Sequence, residues 1–456
     1  MPYTVITIQD FLEKPYLYCN EIDVIWFAKK GKRKKAYLQI YCGFDIETYT
    51  TPSHYGYMYI WQFALYGKNG NYIIIGRTWS DFVRLIDTLI KEFSLDKTRR
   101  IIIAVANLGF EHQFMKKHFI GRWTKVFAKE KRQPIIATLD DCIEFRDVLM
   151  ITGGSLETLA KEYTQTQKLD GDAFDYSEIR TYKTYLTPEQ LQYCYNDVAI
   201  LGEYMEYLFY KYIIPDKYIP VTKTGLLRRE VKKAMSARGN GVKRAIMQEI
   251  YRCYPETFDL YQTLMKWCFR GGYTHANIRH VGKVLGGDGS SSGVRSSDIT
   301  SSYPYTMLAY DGFPVSPLKR ENPADFWKLY NGGKHCLMFS ATFTNIRATT
   351  DHAIESYSKC LDISGHNIID NGRVRSATSL TVWLSEIDFT YMYSLFYAWD
   401  SVVINHLFSS VKGRLPEYLL KPLASAYENK ARMKHDGKGG TTEYALYKSL
   451  VNSAYG

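Results

Sequence analysis

The stretch YLQIYCGFDIET, Tyr37 to Thr48, decides the fold class of the first half of this chain. Most of its first eight residues are apolar, as in a strand that is buried inside a sheet. Asp45 and Glu47 follow at its polar end, and side chains two apart on a strand point to the same face. Carboxylates that close repel each other unless a cation neutralises them. A hard divalent ion such as Mg²⁺, which prefers oxygen ligands, fits this pair.

Beyond this stretch, short apolar strands alternate with amphipathic helices. YIIIG (Tyr72–Gly76) and RRIIIAVAN (Arg99–Asn107) are typical of strands, and WSDFVRLIDTLIKEF (Trp79–Phe93) between them is typical of a helix. Buried strands separated by helices predict an α/β domain. We expect this domain to close with a long helix over Leu186–Tyr212.

Two further stretches add acids to the same domain. NLGFEHQF (Asn107–Phe114) offers Glu111 at a strand end, and YCYND places Tyr193 and Asp197 four apart on a helix, where both can face one cleft. The order D-x-E, then E, then Y-x-x-x-D suits phosphodiester hydrolysis with two metal ions, with Tyr193 orienting the attacking water. Each piece alone is ordinary, since a single D-x-E is usually a polar strand end and Glu111 alone is typical of a solvated turn.

The bulk properties fit a nucleic-acid-binding protein. The 456 residues carry a formal net charge of +11 and include 39 tyrosines, which suit stacking on bases and contacts with phosphate, although ordinary surface charge explains the excess as well. The eight cysteines form no C-x-x-C pair, which argues against a zinc site or a disulfide framework. Because neither a signal peptide nor an apolar run of about 18 residues is evident, we expect a cytoplasmic protein with no membrane partner.

Two stretches of the second half also suggest contacts with an anion. In DITSSYP (Asp298–Pro304) we expect Asp298 to end a strand, the next backbone amides to face a triphosphate, and Tyr303 to lie flat against a sugar, although an ordinary turn explains the string as well. In YKSLVNSAYG (Tyr447–Gly456), Lys448 and Asn452 share one helix face.

The order of these motifs resembles that of family B DNA polymerases. FDIET, NLGFE and YCYND are similar to the three motifs of their 3′–5′ exonuclease domain, within the DEDD exonucleases that have a tyrosine in the third motif. The resemblance implies a ribonuclease H-like domain that binds two Mg²⁺ (or Mn²⁺) ions per active site. It implies these catalytic residues: Asp45, Glu47, Glu111, Tyr193 and Asp197. Of these, Asp45, Glu47 and Asp197 are the implied metal ligands; Glu111 stands where the family commonly has Asp, and we expect metal binding to survive.

The same resemblance implies contacts with single-stranded DNA. Asn107 and Phe110 match positions that hold the single-stranded primer end, and Thr48 matches another. Looser matches to DNA-contacting positions are Leu149, Lys168 and Tyr176.

In the second half, DITSSYP resembles polymerase motif A. The match implies that Asp298 is a catalytic metal ligand and that Tyr303 stacks under the incoming deoxyribose and excludes a ribose. FRGGYTH (Phe269–His275) resembles the Y-x-G-G motif that holds the template strand, with Phe269 in place of the usual Tyr, although a simple tight turn explains it equally. The DNA-binding residues implied there are Phe269, Arg270, Gly271 and Gly272.

YKSLVNSAYG resembles motif B. The match implies that Lys448 contacts the incoming triphosphate and that Asn452 and Tyr455 line the pocket of the nascent base pair. Further phosphate contacts are open among three nearby cations: Lys430, Arg432 and Lys434.

The resemblance is nearest to the protein-primed polymerases of small bacteriophages and linear plasmids, whose partners are primer/template DNA, single-stranded DNA, dNTPs and a terminal protein. We expect these regions: an N-terminal extension (1–40), the exonuclease domain (41–214), a helical connector (215–265), the start of an α+β palm with motif A (266–330), an insertion that contacts the terminal protein (331–412) and fingers with motif B (413–456).

The family's third palm motif, Y-x-D-T-D-S, and its thumb have no match in this chain. We therefore expect exonuclease activity, and no DNA synthesis unless a second polypeptide supplies the missing parts. A split polymerase, a truncated product and a standalone exonuclease with a vestigial palm stay open. So do two functions of another class, a DEDD-type ribonuclease and a non-catalytic DNA-binding module.

Overall fold

The computed structural model describes residues 3–19, 22–27, 35–51, 53–171, 178–239, 241–242, 244–245, 248, 264, 266–274, 280–283, 297–299 and 301–452. The chain forms two compact units. The first runs to Arg229 and includes the chain again from Ser425, and the second runs from Glu230 to Ala424.

Ten strands of the first unit's described residues form one mixed sheet, in the order β1-β6-β5-β4-β7-β10-β9-β8, with β3 joined to β7 and β2 joined to β3. The strands are β1 (Thr4–Thr7), β2 (Val24–Phe27), β3 (Lys35–Leu38), β4 (Tyr41–Thr50), β5 (Gly56–Gly67), β6 (Gly70–Gly76), β7 (Arg99–Val105), β8 (Trp123–Glu130), β9 (Gln133–Leu139) and β10 (Ile143–Asp147). Strand β4 lies near the middle, antiparallel to β5 and parallel to β7.

Helices cover both faces of this sheet. The helices up to the unit border are α1 (Ile8–Glu13), α2 (Trp79–Glu92), α3 (Leu108–Met115), α4 (Leu149–Thr152), α5 (Leu156–Tyr163), α6 (Pro188–Leu208), α7 (Ile214–Asp216) and α8 (Lys223–Ser236). Short 3₁₀ turns span Pro15–Leu17 and Lys116–Phe119, and a π-helical turn, Phe209–Ile213, extends α6.

Local sequence explains the principal helices. In α2, the side chain of Thr78 accepts a hydrogen bond from the backbone N–H of Asp81, and Phe82, Leu85 and Leu89 bury one face at helical spacing. Helix α6 begins at Pro188 behind a capping box, so its start is well defined.

The two faces of the sheet have separate cores. Phe44 and Ile46 of β4 belong to the core that includes α2, whereas Val198 and Leu201 of α6 belong to the core on the other face. Since side chains alternate along β4, Asp45 and Glu47 point to the α6 face.

The second unit has an antiparallel sheet. Within its described residues the strand order is β11-β17-β13-β15-β14, with β12 on β17 and β16 on β13. The strands are β11 (Phe313–Pro314), β12 (Lys319–Glu321), β13 (His335–Ala348), β14 (Cys360–Asp370), β15 (Arg373–Ser385), β16 (Tyr397–Ala398) and β17 (Ser401–Gly413). Aromatic rings of Phe326, Phe339, Phe343 and Phe389 form much of the core against it.

The remaining helices are α9 (Ser302–Ala309), α10 (Phe326–Gly332), α11 (Glu386–Asp388), α12 (Ser394–Phe396), α13 (Glu417–His435) and α14 (Thr442–Asn452). A 3₁₀ turn spans Pro323–Asp325, another spans Tyr357–Lys359, and a π-helical turn spans Phe389–Tyr393. Among the described helices, none is both long and apolar enough to cross a membrane.

The predicted mixed α/β class is confirmed, as are the strands at Tyr72–Gly76 and Arg99–Val105 and the helix that starts at Trp79. Two local predictions are wrong. Glu111, which was expected at a strand end, lies in the first turn of α3, where it is buried and not solvated. Asp298 lies in an exposed segment without regular structure, not at the end of a strand. The predicted domain borders stay predictions.

Candidate active site

Three carboxylates converge on the α6 face of the sheet. Asp45 and Glu47 come from β4, Asp197 comes from α6, and one oxygen of each lies within 4.8 Å of the others. Glu47 and Asp197 are only 8% and 5% exposed. Buried acids this close are unfavourable without a cation, so the donor set fits a hard divalent ion.

The backbone of α6 lies unusually close to β4 beside this group. A Cβ atom at Gly43 would lie 2.6 Å from Cβ of Leu201 and 2.9 Å from the carbonyl oxygen of Val198. Any side chain at position 43 would therefore push the helix away. The glycine lets α6 approach until Asp197 faces Asp45.

Electrostatics at this group favour cation binding. Burial, followed by the nearby Asp197 carboxylate, raises the pKa of Asp45 to about 7. Burial and then Asp45 raise the pKa of Glu47 well above its usual range, and burial also raises that of Asp197. A divalent cation would compensate the buried negative charge of these carboxylates.

Glu111 adds a fourth buried acid on the same side. Asn107, in the left-handed conformation with φ of 64°, starts α3, and the N–H of Leu108 donates to Asp147 at 3.2 Å. Oε2 of Glu111 is buried without a hydrogen-bond partner. Burial and then Asp45 raise the pKa of Glu111. A buried carboxylate oxygen without a partner is unfavourable, and a cation would satisfy it.

Lys168 joins two of the predicted catalytic residues. Its ammonium group donates to Asp197 at 2.6 and 2.9 Å and to the hydroxyl of Tyr193 at 3.1 Å. It also lies 4.5 Å from the centre of the Tyr193 ring. Sequence similarity matched Lys168 only loosely to DNA contact, whereas the geometry places it inside the acid cluster.

Gln62 is a member of the site that sequence reasoning missed. It lies opposite Asp45 in the β4–β5 register and donates from Nε2 to Oδ2 of Asp45 at 2.7 Å. The side chain is fully buried, and its Oε1 has no hydrogen-bond partner. A glutamine in a strand carries no local signal of such a role.

Three predicted contacts with single-stranded DNA are close in sequence to the buried acids. Thr48 continues β4, Asn107 and Phe110 are exposed at the start of α3, and the ring of Phe110 lies 5.0 Å from that of Phe114. Leu149 begins α4 and is partly buried, and Tyr176 lies outside the described residues.

The glycine motif of the second unit lines a cavity of about 400 Å³. Phe269 is 60% exposed, and a Cβ atom at Gly271 or Gly272 would touch nothing in the described protein. Arg270 instead turns inward, where its guanidinium donates to the fully buried Glu355 at 3.0 Å. The loop is thus anchored by Arg270 and leaves its glycines open to a ligand.

The motif A residues lie in the second unit and the described motif B residues lie in the first. Asp298 and Tyr303 are exposed. Lys448 and Asn452 are exposed on α14, where Asn452 lines a cavity of about 680 Å³ with Lys223 and other residues. Tyr455 lies outside the described residues.

The three cations near motif B differ in environment. Burial and then the ammonium groups of Lys448 and Lys434 lower the pKa of Lys430. Arg432 instead donates to Asn429 at 2.7 Å.

Comparison with known proteins bears on the fold. No family model matches the chain, and no curated protein is significantly similar to it. Among solved structures it is similar to Phi29 DNA polymerase complexed with single-stranded DNA (TM-score 0.63, 15% identity) and with primer-template DNA (TM-score 0.62, 14% identity). Each likeness covers 91% of this chain and 67% of the polymerase chain. The chain therefore has a DNA polymerase-like fold.

Proposed function

We propose that the chain is a portion of a protein-primed-type family B DNA polymerase and that its first unit is a metal-dependent 3′–5′ exonuclease. The observation that carries the proposal is the convergence of Asp45, Glu47 and Asp197 within 4.8 Å. In the proposed site these three residues hold the Mg²⁺ ions, and Glu111 adds negative charge beside them. Bound there, the ions would stabilise the charge of the scissile phosphate and promote the ionisation of water.

The chain's own residues prepare this site. Gln62 donates a hydrogen bond to Oδ2 of Asp45 and so fixes the position of this carboxylate. Lys168 donates to the hydroxyl of Tyr193, which orients the hydroxyl oxygen. We assign to Tyr193 the positioning of the attacking water, and to Lys168 a positive charge near the phosphate as negative charge develops.

The reaction is hydrolysis of the terminal phosphodiester. A water oxygen forms a bond to phosphorus, the bond from phosphorus to the 3′ oxygen of the preceding nucleotide breaks, and that oxygen takes a proton. The products are a nucleoside monophosphate and a strand shorter by one nucleotide. Exposed Phe110 and Asn107 are suited to stack on and bond to the terminal nucleotides.

For the rest of the chain we propose polymerase roles. Asp298 is the proposed metal ligand of motif A, Tyr303 discriminates the sugar, and Lys448, with Asn452 and Tyr455, contacts the incoming nucleotide. The sheet region 331–412 is the proposed contact for a terminal protein. Because no second aspartate motif is found in the sequence, we expect no synthesis by this chain without a complementing polypeptide.

An assay of strand shortening tests the exonuclease proposal. The chain is incubated with 5′-labelled single-stranded DNA and Mg²⁺, with and without dNTPs, beside Asp45→Ala and a control, Asp87→Ala, which removes an exposed acid of α2. We expect a ladder of shortened strands with wild type and the control, a loss on the order of 10³ in rate with Asp45→Ala, and no extension. Equal rates for wild type and Asp45→Ala would refute the assignment, and preference for RNA would favour the ribonuclease alternative.

A further inference from the structure

The loop Thr164–Lys168 brings Lys168 to the site, and helix α6 holds this loop outside the acid cluster. The main contact is made by Glu203, which lies further along α6 than Asp197 and is only 5% exposed. No motif of the sequence singled out this residue, and it does not belong to the metal-ligand group.

The Glu203 carboxylate accepts hydrogen bonds from consecutive loop residues. Its Oε2 accepts the backbone N–H of Gln165 at 2.6 Å and that of Thr166 at 3.1 Å. Its Oε1 accepts the hydroxyl of Thr166 at 2.6 Å. Hydrogen bonds of a buried carboxylate to backbone N–H groups are among the stronger ones in proteins, so the loop backbone is firmly attached here.

A second residue of α6 holds the next part of the loop. Asn196 donates from Nδ2 to the carbonyl oxygen of Gln167 at 2.8 Å, and Gln192 donates to Oδ1 of Asn196 at 2.7 Å. Lys168 follows at once and reaches Asp197. The loop thus lies along α6. Its backbone is fixed immediately before Lys168, whose ammonium group reaches the site.

We propose that Glu203 is a positioning residue that sets Lys168 on Asp197 and Tyr193. A lysine side chain has several rotatable bonds, so its ammonium group is well placed only when its backbone is fixed. Without Glu203, the loop loses its attachment at Gln165 and Thr166, and Lys168 samples other positions. The effect on rate rests on the proposed exonuclease function, whereas the effect on Lys168 itself does not.

Two substitutions at Glu203 distinguish the effect of its hydrogen bonds from the effect of its negative charge. Glu203→Ala removes these three hydrogen bonds to the loop, and we expect it to lower the turnover rate by about tenfold to a hundredfold, with a smaller change in KM. Glu203→Gln can still accept the backbone N–H groups through its oxygen while its amide donates to the hydroxyl of Thr166. We expect Glu203→Gln to retain most of the rate. If Glu203→Ala fails to fold, Thr166→Val removes one of the hydrogen bonds to Glu203 and still tests whether Glu203 fixes the loop.

The deciding experiment is a double-mutant cycle on the full chain. Exonuclease rates are measured for wild type, Glu203→Ala, Lys168→Ala and the double variant, with Glu144→Ala as a control for loss of a buried glutamate elsewhere in the sheet. If Glu203 acts through Lys168, Glu203→Ala costs nothing further in the Lys168→Ala background. An equal loss in both backgrounds would overturn the proposal.

A measurement that does not depend on catalysis distinguishes the proposed role of Glu203 from the proposed exonuclease function. Acetylation of Lys168 by a water-soluble reagent and amide exchange at 164–168 are followed by mass spectrometry. We expect both to be several-fold faster in Glu203→Ala than in wild type, and unchanged in Glu144→Ala. Unchanged values in Glu203→Ala would overturn the proposal even if the chain is an active nuclease, and increased values would support it even if the chain is not.

Discussion

The ammonium group of Lys168 lies 2.6 Å from Oδ2 of Asp197, beside Asp45 and Glu47. A lysine at hydrogen-bonding distance from a proposed metal ligand partly neutralises the cluster before any cation arrives. The same ammonium contacts the hydroxyl of Tyr193. One side chain therefore couples the charge of the cluster to the residue proposed to orient water.

Removal of this ammonium group tests the coupling. Lys168→Met keeps much of the side-chain volume but removes the ion-pair partner of Asp197, so we expect a rate lower by about 10². Stabilisation by Mn²⁺ should rise, because the metal-free variant has more uncompensated negative charge. Exonuclease rates, and thermal unfolding with and without Mn²⁺, measure the two effects. Lys161→Met, which replaces an exposed lysine, is the control. A faster variant, or one that Mn²⁺ stabilises less than wild type, would contradict the coupling.

The acid cluster predicts how stability depends on pH. Because the folded protein raises the pKa of Asp45 to about 7, it binds more protons than the unfolded chain between about pH 4 and 7. Metal-free protein should therefore lose stability as pH rises through this window. Saturating Mg²⁺ should restore several degrees of the melting temperature at pH 8 and little at pH 5.

Asp45→Asn is the matching variant for this prediction. It removes one repelling charge, so we expect it to melt higher than wild type at pH 8 without metal and to gain less from Mg²⁺. Thermal unfolding at pH 5, 6.5 and 8 makes the comparison. A Mg²⁺ effect that is equal in both proteins would show that the ion binds elsewhere.

Gln62 predicts a separation of metal affinity from stability. Gln62→Leu removes the hydrogen bond to Asp45, so we expect Mn²⁺ affinity to fall by about tenfold to a hundredfold. Stability should change little, since the substitution also removes a buried Oε1 that has no partner. Calorimetric Mn²⁺ titration and urea unfolding measure the two quantities. Gln39→Leu, which removes a hydrogen bond to Tyr41 on the same sheet, is the control and should leave affinity unchanged.

Gly43 predicts a packing effect on the site. Gly43→Ala places a methyl group where Leu201 and the Val198 carbonyl already lie, so α6 must move or the protein loses about 1–3 kcal/mol of stability. Either outcome should lower Mn²⁺ affinity. Gly67→Ala, whose added carbon would lie 3.7 Å from Ile40, is the tolerated control. Urea unfolding and Mn²⁺ titration of both variants give the comparison, and a Gly43→Ala protein equal to wild type in both would refute the close-packing account.

A network of charged groups elsewhere in the sheet predicts a loss of stability in acid. Burial would raise the pKa of Glu144, but Arg146 and then hydrogen bonds from Arg146, Tyr37 and Arg100 lower it to about 2. The stability this gives is fully present above about pH 4.5 and is lost as pH falls towards 2. Glu144→Gln should cost on the order of 3 kcal/mol at pH 7, and the difference from wild type should narrow below pH 4.5. Urea unfolding at pH 7, 4.5 and 3 measures the difference in unfolding free energy between wild type and Glu144→Gln. A difference that stays constant with pH would contradict the role assigned to Glu144.

The sequence predicted those strands and helices that have a strong local pattern. The apolar run of β7 and the periodic face of α2 are visible in the sequence, and D-x-E on a strand places Asp45 and Glu47 on one face. That Asp197 would meet them followed from motif order and family resemblance. Its physical cause, the close approach of α6 at Gly43, depends on tertiary packing.

Other members of the site depend on long-range pairing. Gln62 faces Asp45 because of the β4–β5 register, and Glu203 contacts Gln165 because the loop lies along α6. Neither contact has a local signature. Asp298 was expected to end a strand, but the residues beside it in the described chain have no regular structure.

The measurement that most directly tests the central claim is a Mn²⁺ titration that records ion binding and release of the 3′-terminal nucleotide together. Wild type, Asp197→Asn and the Asp87→Asn control are compared on single-stranded DNA labelled at its 3′ end. The account predicts that binding and release saturate together in wild type and control, and that Asp197→Asn loses both. Release of the 3′ nucleotide by Asp197→Asn at the wild-type rate, or release without any bound ion, would contradict it.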